Sequence, residues 1–118
     1  MSTAENVMTN GRLPLKQSGR TVFVTVESIE HLEACGNYVK VRASDGDYLV
    51  RDTLSTFADR LAGRDFLRIH RSIVINRNHI RELRRTFAGA YVVTLVSGKE
   101  FRVGRSYRQQ VAVLRKPV

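Results

Sequence analysis

Turn signals recur along this chain at intervals too short for a long helix. Each lies between two apolar segments of four to eight residues: Gly36-Asn37, Ser44-Asp45-Gly46-Asp47, Ala88-Gly89 and Ser97-Gly98. Between Val39 and Ser44, apolar and polar residues alternate, which is the period of a strand with one buried face and one solvent face. Such segments joined by short turns predict antiparallel hairpins. The spacing therefore predicts a mainly β fold built of short strands.

Two helical segments interrupt the predicted strands. Between Thr53 and Gly63, apolar residues recur at the spacing of one helical face, with Thr53 as the N-cap and Gly63 as the terminating residue. Residues 106–115 predict a second short helix, which Ser106 would cap and Pro117 would stop. Strands this short cannot close a large barrel, so the residues favour a stack of small sheets or a partly open barrel.

The length of 118 residues predicts a single domain. Residues 1–11 are mostly polar and aperiodic, so we expect a flexible tail or linker there and the domain over residues 12–118. No apolar run approaches the roughly 18 residues of a membrane helix, and the N-terminus lacks the apolar core of a signal peptide. A cytoplasmic protein is therefore expected. Because Cys35 is the single cysteine, an internal disulfide is excluded.

The charge of the chain is unevenly distributed. Residues 1–59 carry six basic and eight acidic side chains, whereas residues 60–118 carry fourteen basic and three acidic ones. Most basic residues of the second half are arginines, whose planar guanidinium can bind a phosphate or a guanine edge through two hydrogen bonds. A polyanionic partner is therefore the first hypothesis, and a solvated basic surface is the alternative.

Residues that could support catalysis or metal binding lack the required spacing. His70 and Ser72 are two positions apart, but no aspartate is placed by sequence to orient the imidazole. The three histidines and Cys35 form no short metal-binding pair, and the glycines form no phosphate-binding loop. We therefore predict neither an enzyme nor a metal, cofactor or small-molecule site. Cys35 is expected to be a small buried residue at a strand end, with a redox sensor as the alternative.

Three predicted loops combine arginine or asparagine with small polar residues: Asn37-Tyr38, His70-Arg71-Ser72 and Gly104-Arg105-Ser106. Gly104 lacks a side chain at a point where the backbone could approach a ligand closely. Loops of this composition on a basic surface suggest contacts to base edges flanked by contacts to phosphates. The aromatic residues of the predicted strands are expected mainly at inward positions, with a base-stacking platform as the alternative, and Tyr38 is open to either role: Tyr38, Phe66, Phe87, Tyr91 and Phe101.

Several segments, taken in order, resemble the LytTR family, the DNA-binding output domain of many bacterial response regulators. The matching segments are Ile29-Glu30-His31-Leu32-Glu33-Ala34 with Gly36-Asn37-Tyr38-Val39, Arg51-Asp52-Thr53-Leu54, Phe66-Leu67-Arg68-Ile69-His70-Arg71-Ser72 with Asn76, and Leu95-Val96-Ser97-Gly98 with Val103-Gly104-Arg105-Ser106-Tyr107. The resemblance covers roughly residues 12–116, which is nearly the whole chain.

The resemblance implies an elongated stack of three small antiparallel sheets with one or two short helices. It also implies sequence-specific binding of duplex DNA by a bacterial transcription regulator, with loops inserted into successive major grooves. Carried over by position, the base-contacting residues would be Asn37, Arg71 and Arg105. The phosphate-contacting residues would be Lys40, Ser72, Arg77, Ser106 and Arg108. His70 would hold the Arg71 loop rather than contact DNA.

The resemblance carries expectations about context and partners. Family members usually have a receiver domain ahead of this one, so the chain is either a standalone regulator or part of a longer protein. Copies are expected to meet weakly on direct repeats in promoter DNA, without membrane contact. A non-specific β module for RNA or DNA, or a module for an acidic protein partner, are the alternatives. Gly104 departs from the serine that many members carry at that position.

Overall fold

The computed structural model describes residues 11–115, which form three antiparallel sheets and two short α-helices. The predicted mainly β architecture of three small sheets is thereby confirmed. The predicted tail, residues 1–11, lies outside the described residues except for Gly11.

The strands of each sheet follow one another along the chain. The first sheet contains β1 (Arg12–Gln17) and β2 (Arg20–Thr25). The central sheet contains β3 (Ile29–Cys35), β4 (Tyr38–Ala43), β5 (Gly46–Val50), β6 (Phe66–His70) and β7 (Ile73–Asn76), and its spatial order is β5-β4-β3-β7-β6. The third sheet contains β8 (Ile80–Arg85), β9 (Tyr91–Leu95) and β10 (Glu100–Arg102), with β9 in the middle.

The first helix, α1 (Leu54–Arg60), connects β5 to β6. The Thr53 hydroxyl accepts a hydrogen bond from the Thr56 amide at 3.1 Å, so the predicted N-cap is confirmed. Leu54 and Phe57 are buried on the apolar stripe that the sequence predicts. This helix covers one face of the central sheet.

The second helix, α2 (Arg108–Ala112), is shorter than the predicted helix over residues 106–115. It is flanked by 3-10 turns, Arg105–Tyr107 and Val113–Arg115. Ser106 lies inside the first turn, and no side chain caps either that turn or α2, so the predicted cap is wrong. The chain leaves β10 in a tighter 3-10 geometry, in which position 106 is no longer the residue before the helix.

Two hydrophobic cores separate the three sheets. The first core lies between the first sheet, α1 and one face of the central sheet, and its buried members include Leu13, Leu15, Val39, Val41, Phe57 and Val74. The second core lies between the opposite face, the third sheet and α2, and its buried members include Ile69, Ile73, Ile75, Val93, Leu95 and Val111. The central sheet is therefore apolar on both faces where β7 crosses it.

Strand β7 shows how the sequence encodes this double burial. All four of its residues are buried, with Val74 in the first core and Ile73 and Ile75 in the second. Successive side chains of a strand point to opposite faces. A strand that is buried on both sides therefore has a continuous apolar run instead of an alternating pattern.

The molecule is elongated, with principal dimensions of 48 × 31 × 25 Å. The longest strand has seven residues, which spans about 23 Å at 3.3 Å per residue. No single strand therefore spans the 48 Å dimension. Antiparallel pairing places successive turns alternately at the two opposite ends of the strands.

Three residues expected in the interior are exposed. Cys35 is exposed because it is the last residue of β3 and pairs with Tyr38 across a two-residue turn. Phe87 is fully exposed because it lies in the turn beyond the last β8–β9 pair, Arg85 with Tyr91. The Tyr38 side chain is 40% exposed. Tyr91 is buried as predicted.

Candidate nucleic-acid interface

Six connecting segments lie at one end of the strands, which we term the loop end: residues 18–19, 36–37, 51–53, 71–72, 86–90 and 103–107. The Ala34 amide donates a hydrogen bond to the Ser72 carbonyl at 2.9 Å, which ties the end of β3 to the turn between β6 and β7. The Gly104 amide donates to the Ile69 carbonyl at 2.8 Å, which ties the segment after β10 to β6. The three loops predicted from the sequence are therefore neighbours.

The turn that carries Arg71 is held by the side chain of Arg68. The Arg68 guanidinium donates from Nη2 to the Arg71 carbonyl at 2.6 Å and from Nε to the His70 carbonyl at 3.4 Å. Its Nη1 donates to Ser55 Oγ at 3.3 Å, in the first turn of α1. One planar cation thus connects the turn backbone to the helix. Arg71 itself is exposed, so its side chain is available to a ligand.

His70 connects the Arg71 turn to the Gly104 segment. Its Nδ1 accepts a hydrogen bond from the Ser72 amide at 3.0 Å, so the holding role expected for His70 matches its contacts. A Cβ atom on Gly104 would lie 3.4 Å from His70 Cδ2 and 3.4 Å from Tyr107 Cδ2. Position 104 therefore packs against the rings of His70 and Tyr107, at a distance that a Cβ atom would also accept.

Asn37 and Arg71 line the same open groove, of about 500 Å³. The groove also contains Tyr38, Arg51 and Arg68, together with the residues that begin α1. Asn37 lies in the two-residue turn between β3 and β4, beside the positive φ of Gly36 at 61°. This conformation favours glycine because a side chain there would be strained. The turn therefore projects Asn37 beyond the ordered strand pair.

Arg105 and Ser106 are both exposed in the 3-10 turn that follows Gly104. Arg108 is half-buried at the start of α2, and its Nε is buried without a hydrogen-bond partner within residues 11–115. The third loop therefore presents one exposed arginine and one exposed hydroxyl. Arg108 lies against the protein beside them.

Two of the predicted phosphate-contacting residues lie away from this cluster. Lys40 is in the middle of β4 and lines a separate groove with His31, Arg42 and Lys99. Arg77 follows β7 at the end opposite the Arg71 turn, where its amide donates to the Asp65 carbonyl at 2.8 Å. Four strand residues separate Arg77 from that turn, which corresponds to about 13 Å. Ser72, by contrast, lies within the turn.

The exposed arginines of the loop end have no acidic partner in the part of the chain that the structure describes. Across residues 11–115, the side-chain ion pairs within 4 Å involve His31, Arg42 and Arg60. Arg51, Arg71, Arg102 and Arg105 are exposed and have no carboxylate at that distance among the described residues. Unpaired guanidinium groups on one end of the molecule attract a polyanion.

The titratable groups with shifted pKa values lie elsewhere. Burial lowers the pKa of His31, whose ring meets Phe101 edge-on at 4.8 Å, although the Glu30 carboxylate opposes this effect. Burial alone would raise the pKa of Glu30, but hydrogen bonds from Ser97 and His31 hold it below its usual range. The 2.8 Å contact between His31 Nδ1 and Glu30 is therefore a hydrogen bond from a neutral imidazole.

Neither a metal site nor a membrane-spanning helix is found within residues 11–115. No group of three histidine, cysteine, aspartate or glutamate residues there is arranged to hold a metal ion. No helix in the same range is long and apolar enough to cross a membrane.

The family of the chain follows from comparison with known proteins. The sequence profile of the LytTr DNA-binding domain matches residues 19–115. The chain belongs to the LytTR DNA-binding domain family. The resemblance predicted from the sequence is thereby confirmed, and DNA is the partner of this domain.

Two relatives and one solved structure illustrate the LytTR match. The chain is 30% identical over 103 residues to the sensory transduction protein LytT of Bacillus subtilis (strain 168), covering 87% of this chain and 43% of that protein. It is 28% identical over 95 residues to the transcriptional regulatory protein LytR of Staphylococcus aureus (strain N315), covering 80% and 39%. The chain thus spans less than half of each relative.

A solved LytTr DNA-binding domain from Bacillus cereus has the same fold, with a TM-score of 0.77 and 24% sequence identity. The match covers 90% of this chain and 97% of that chain. The stacked sheets are therefore the architecture of this LytTR domain.

Sequence reasoning missed the positioning role of Arg68. The sequence placed Arg68 only within a segment that resembles the family, because its acceptors are two backbone carbonyls and a serine from another element. A signal was present in the spacing, since Arg68 precedes Arg71 by three residues across a tight turn. The contact with Ser55, thirteen positions away, has no signature in the sequence.

Proposed function

We propose that this LytTR domain binds duplex DNA sequence-specifically, with its three loops inserted into successive major grooves. The observation that carries the proposal is the loop end itself, where Asn37, Arg71 and Arg105 lie on neighbouring loops of one rigid scaffold. Cross-strand hydrogen bonds and the Arg68 side chain hold these loops in place. A preorganised contact surface loses little conformational entropy on binding.

The dimensions of the molecule are compatible with this mode of binding. Successive major grooves on one side of a B-form duplex are about 34–36 Å apart. The longest dimension of the molecule, 48 Å, exceeds this spacing, and it corresponds to about 14 base pairs at a rise of 3.4 Å. The domain as a whole is therefore long enough to extend from one major groove to the next.

Each candidate residue has a chemical role in the proposal. Arg71 and Arg105 are suited to bidentate hydrogen bonds with the O6 and N7 atoms of guanine, and Asn37 to the N6 and N7 atoms of adenine. Contacts to phosphates would fix the register of the domain on the duplex. The candidate phosphate contacts are Ser72, Ser106 and Arg108 beside these loops, and Lys40 and Arg77 farther away.

The biological context of the proposal is transcription regulation in the bacterial cytoplasm. The domain would recognise a promoter half-site, and two copies would bind adjacent direct repeats with weak contacts between them. Longer relatives such as the sensory transduction protein LytT support a role as the output part of a larger regulator.

The test is a selection of binding sites from a random duplex DNA library at near-physiological salt. The wild type should enrich one motif, and Arg71→Ala and Arg105→Ala should each lose about 1–3 kcal/mol of discrimination at one or two of its base pairs. Arg64→Ala is the matched control, because Arg64 is an exposed arginine at the opposite end of the strands. It should retain the motif.

Alanine variants of the phosphate candidates complete the test. Replacing a residue that contacts a phosphate should weaken binding to all DNA sequences alike. For Lys40, Arg77 or Arg108, the slope of log affinity against log salt should also fall by about one. Binding without an enriched motif would replace the proposal with a non-specific nucleic-acid module. A tight dimer in sedimentation without DNA would contradict the weak self-association.

A further inference from the structure

A second groove lies beside the one that Asn37 and Arg71 share. It has a volume of about 980 Å³ and is formed by the turn between β1 and β2 and by the outer face of β4 and β5. Tyr38 and Arg51 line both grooves. The two grooves are therefore continuous at the loop end.

The β1–β2 turn is anchored to the rest of the domain. The Gln17 side chain donates from Nε2 to the Leu49 carbonyl at 3.1 Å, which joins the end of β1 to β5. Leu13 and Leu15, on the same strand, are fully buried in the first core. Residues at this turn are therefore held at a fixed position next to the Asn37 groove.

The groove is basic and its cations are free. Lys16, Arg20 and Arg51 line it, and within residues 11–115 none of them has a carboxylate within 4 Å. The carboxylates of the turn between β4 and β5 already have partners. Asp45 accepts a hydrogen bond from the Tyr48 hydroxyl at 2.8 Å, and Asp47 pairs with Arg42 at 3.1 Å.

We propose that the β1–β2 turn is an additional DNA-contacting element, in which Lys16 and Arg20 bind backbone phosphates that flank the bases facing Asn37. This inference rests on the proposed function, because it places the same duplex in the adjacent groove. Tyr38, with its exposed ring, and Arg51 would lie along the backbone between the two grooves. Phosphates are the suitable ligand because ammonium and guanidinium groups bind them without regard to sequence.

The predicted consequence is a longer DNA footprint with no added base preference. The alternative ligand for these cations is an acidic segment of a protein partner. Continuity with the Asn37 groove favours DNA, because a duplex bound there must continue past the groove in both directions. The contribution of Lys16 and Arg20 should therefore depend on the length of one DNA flank.

The first experiment compares two double variants of equal charge by fluorescence anisotropy on a duplex that carries the selected motif. Lys16→Ala/Arg20→Ala should lower the slope of log affinity against log salt by about 1.8, at about 0.9 per phosphate contact. The control is Arg64→Ala/Arg81→Ala, which removes two arginines that are exposed at the opposite end. Its slope should change by less than half as much. Equal slopes for the two variants would overturn the inference.

The second experiment tests the position of the contact. The duplex is shortened by about half a helical turn, five base pairs, on either flank in turn. Shortening one flank should weaken the wild type and the control variant, but it should leave Lys16→Ala/Arg20→Ala unchanged, because that contact is already lost. If shortening either flank weakens the affinity of Lys16→Ala/Arg20→Ala as much as it weakens that of the wild type, the contact is refuted. Thermal unfolding verifies that each variant is folded.

The two proposals fail in distinguishable ways. If the wild type has no preferred motif, the proposed sequence-specific function fails, yet the salt slopes of the two double variants can still be compared on an arbitrary duplex. If the motif depends on Arg71 but the flank dependence is absent, only the role of the β1–β2 turn fails.

Discussion

Replacing Arg68 by alanine should reduce sequence-specific DNA binding although Arg68 is not among the residues expected to contact bases. Arg68 makes three hydrogen bonds, to the Arg71 carbonyl at 2.6 Å, the His70 carbonyl at 3.4 Å and Ser55 Oγ at 3.3 Å. Without them the turn between β6 and β7 loses the cation that fixes its carbonyls and connects it to α1. The Arg71 side chain would then have to be ordered during binding.

The size of the effect follows from the geometry. A hydrogen bond from a charged donor contributes about 1.5–3 kcal/mol when it is well formed and shielded. The shortest of the three is solvent-exposed and the other two are long, so we expect a total near the lower end, about 1.5–2 kcal/mol. If all of this hydrogen-bond free energy is lost from the free energy of DNA binding, the affinity for the motif falls about 10- to 30-fold, at 1.4 kcal/mol per factor of ten.

The assay is fluorescence anisotropy on the selected motif and on a scrambled duplex, over a range of salt concentrations. Arg68→Lys is the control, because it keeps the charge but its compact ammonium cannot bridge three separated acceptors. We expect Arg68→Ala to lose more affinity for the motif than for the scrambled duplex, and Arg68→Lys to restore only part of it.

A different pattern would refute the positioning role. If Arg68→Ala weakens both duplexes equally and lowers the salt slope by about one, and if Arg68→Lys restores the wild-type affinity, then Arg68 is a direct phosphate contact. The hydrogen bonds to the turn would in that case have no part in recognition.

Three further predictions concern the scaffold. Asn76→Ala should destabilise the domain by about 2–3 kcal/mol in urea unfolding. The buried Asn76 amide donates to the Ile29 carbonyl at 2.9 Å, and its oxygen caps the next turn. A change below about 0.5 kcal/mol would contradict this role. Gly104→Ala should leave the melting temperature unchanged or raise it, with stability gaining up to about 1 kcal/mol. The φ of Gly104, −66°, suits any residue, and a Cβ atom there would lie at ordinary contact distance. A lower melting temperature would mean that His70 is displaced. The wild type should lose stability as the pH falls below 6.5, because burial lowers the pKa of His31 and the unfolded chain takes up the proton first. His31→Gln should flatten this dependence between about pH 7.5 and pH 5.5, and an unchanged slope would assign the effect to other groups.

The local elements of this LytTR domain could be read from its sequence, since each depends on nearby residues. Glycine-containing turns and alternating patterns predicted the hairpins of β3, β4 and β5, and Thr53 predicted the start of α1. The errors occur where tertiary geometry decides. Cys35 and Phe87 are apolar residues that the pattern assigned to the interior, but each lies where strand pairing ends.

The sequence by itself determined the components of this protein, namely short antiparallel strands, two helical segments, an arginine-rich second half and three polar loops. Only the tertiary structure decided which components act together. The antiparallel register brings Lys16, Arg20 and Arg51 from the acidic first half to the same end as Arg71 and Arg105. It also leaves Arg77 at the other end. The physical reason is that the sequence sets the order of charges along the chain, whereas a ligand contacts a surface. Strand pairing decides which of these charges lie on the same surface.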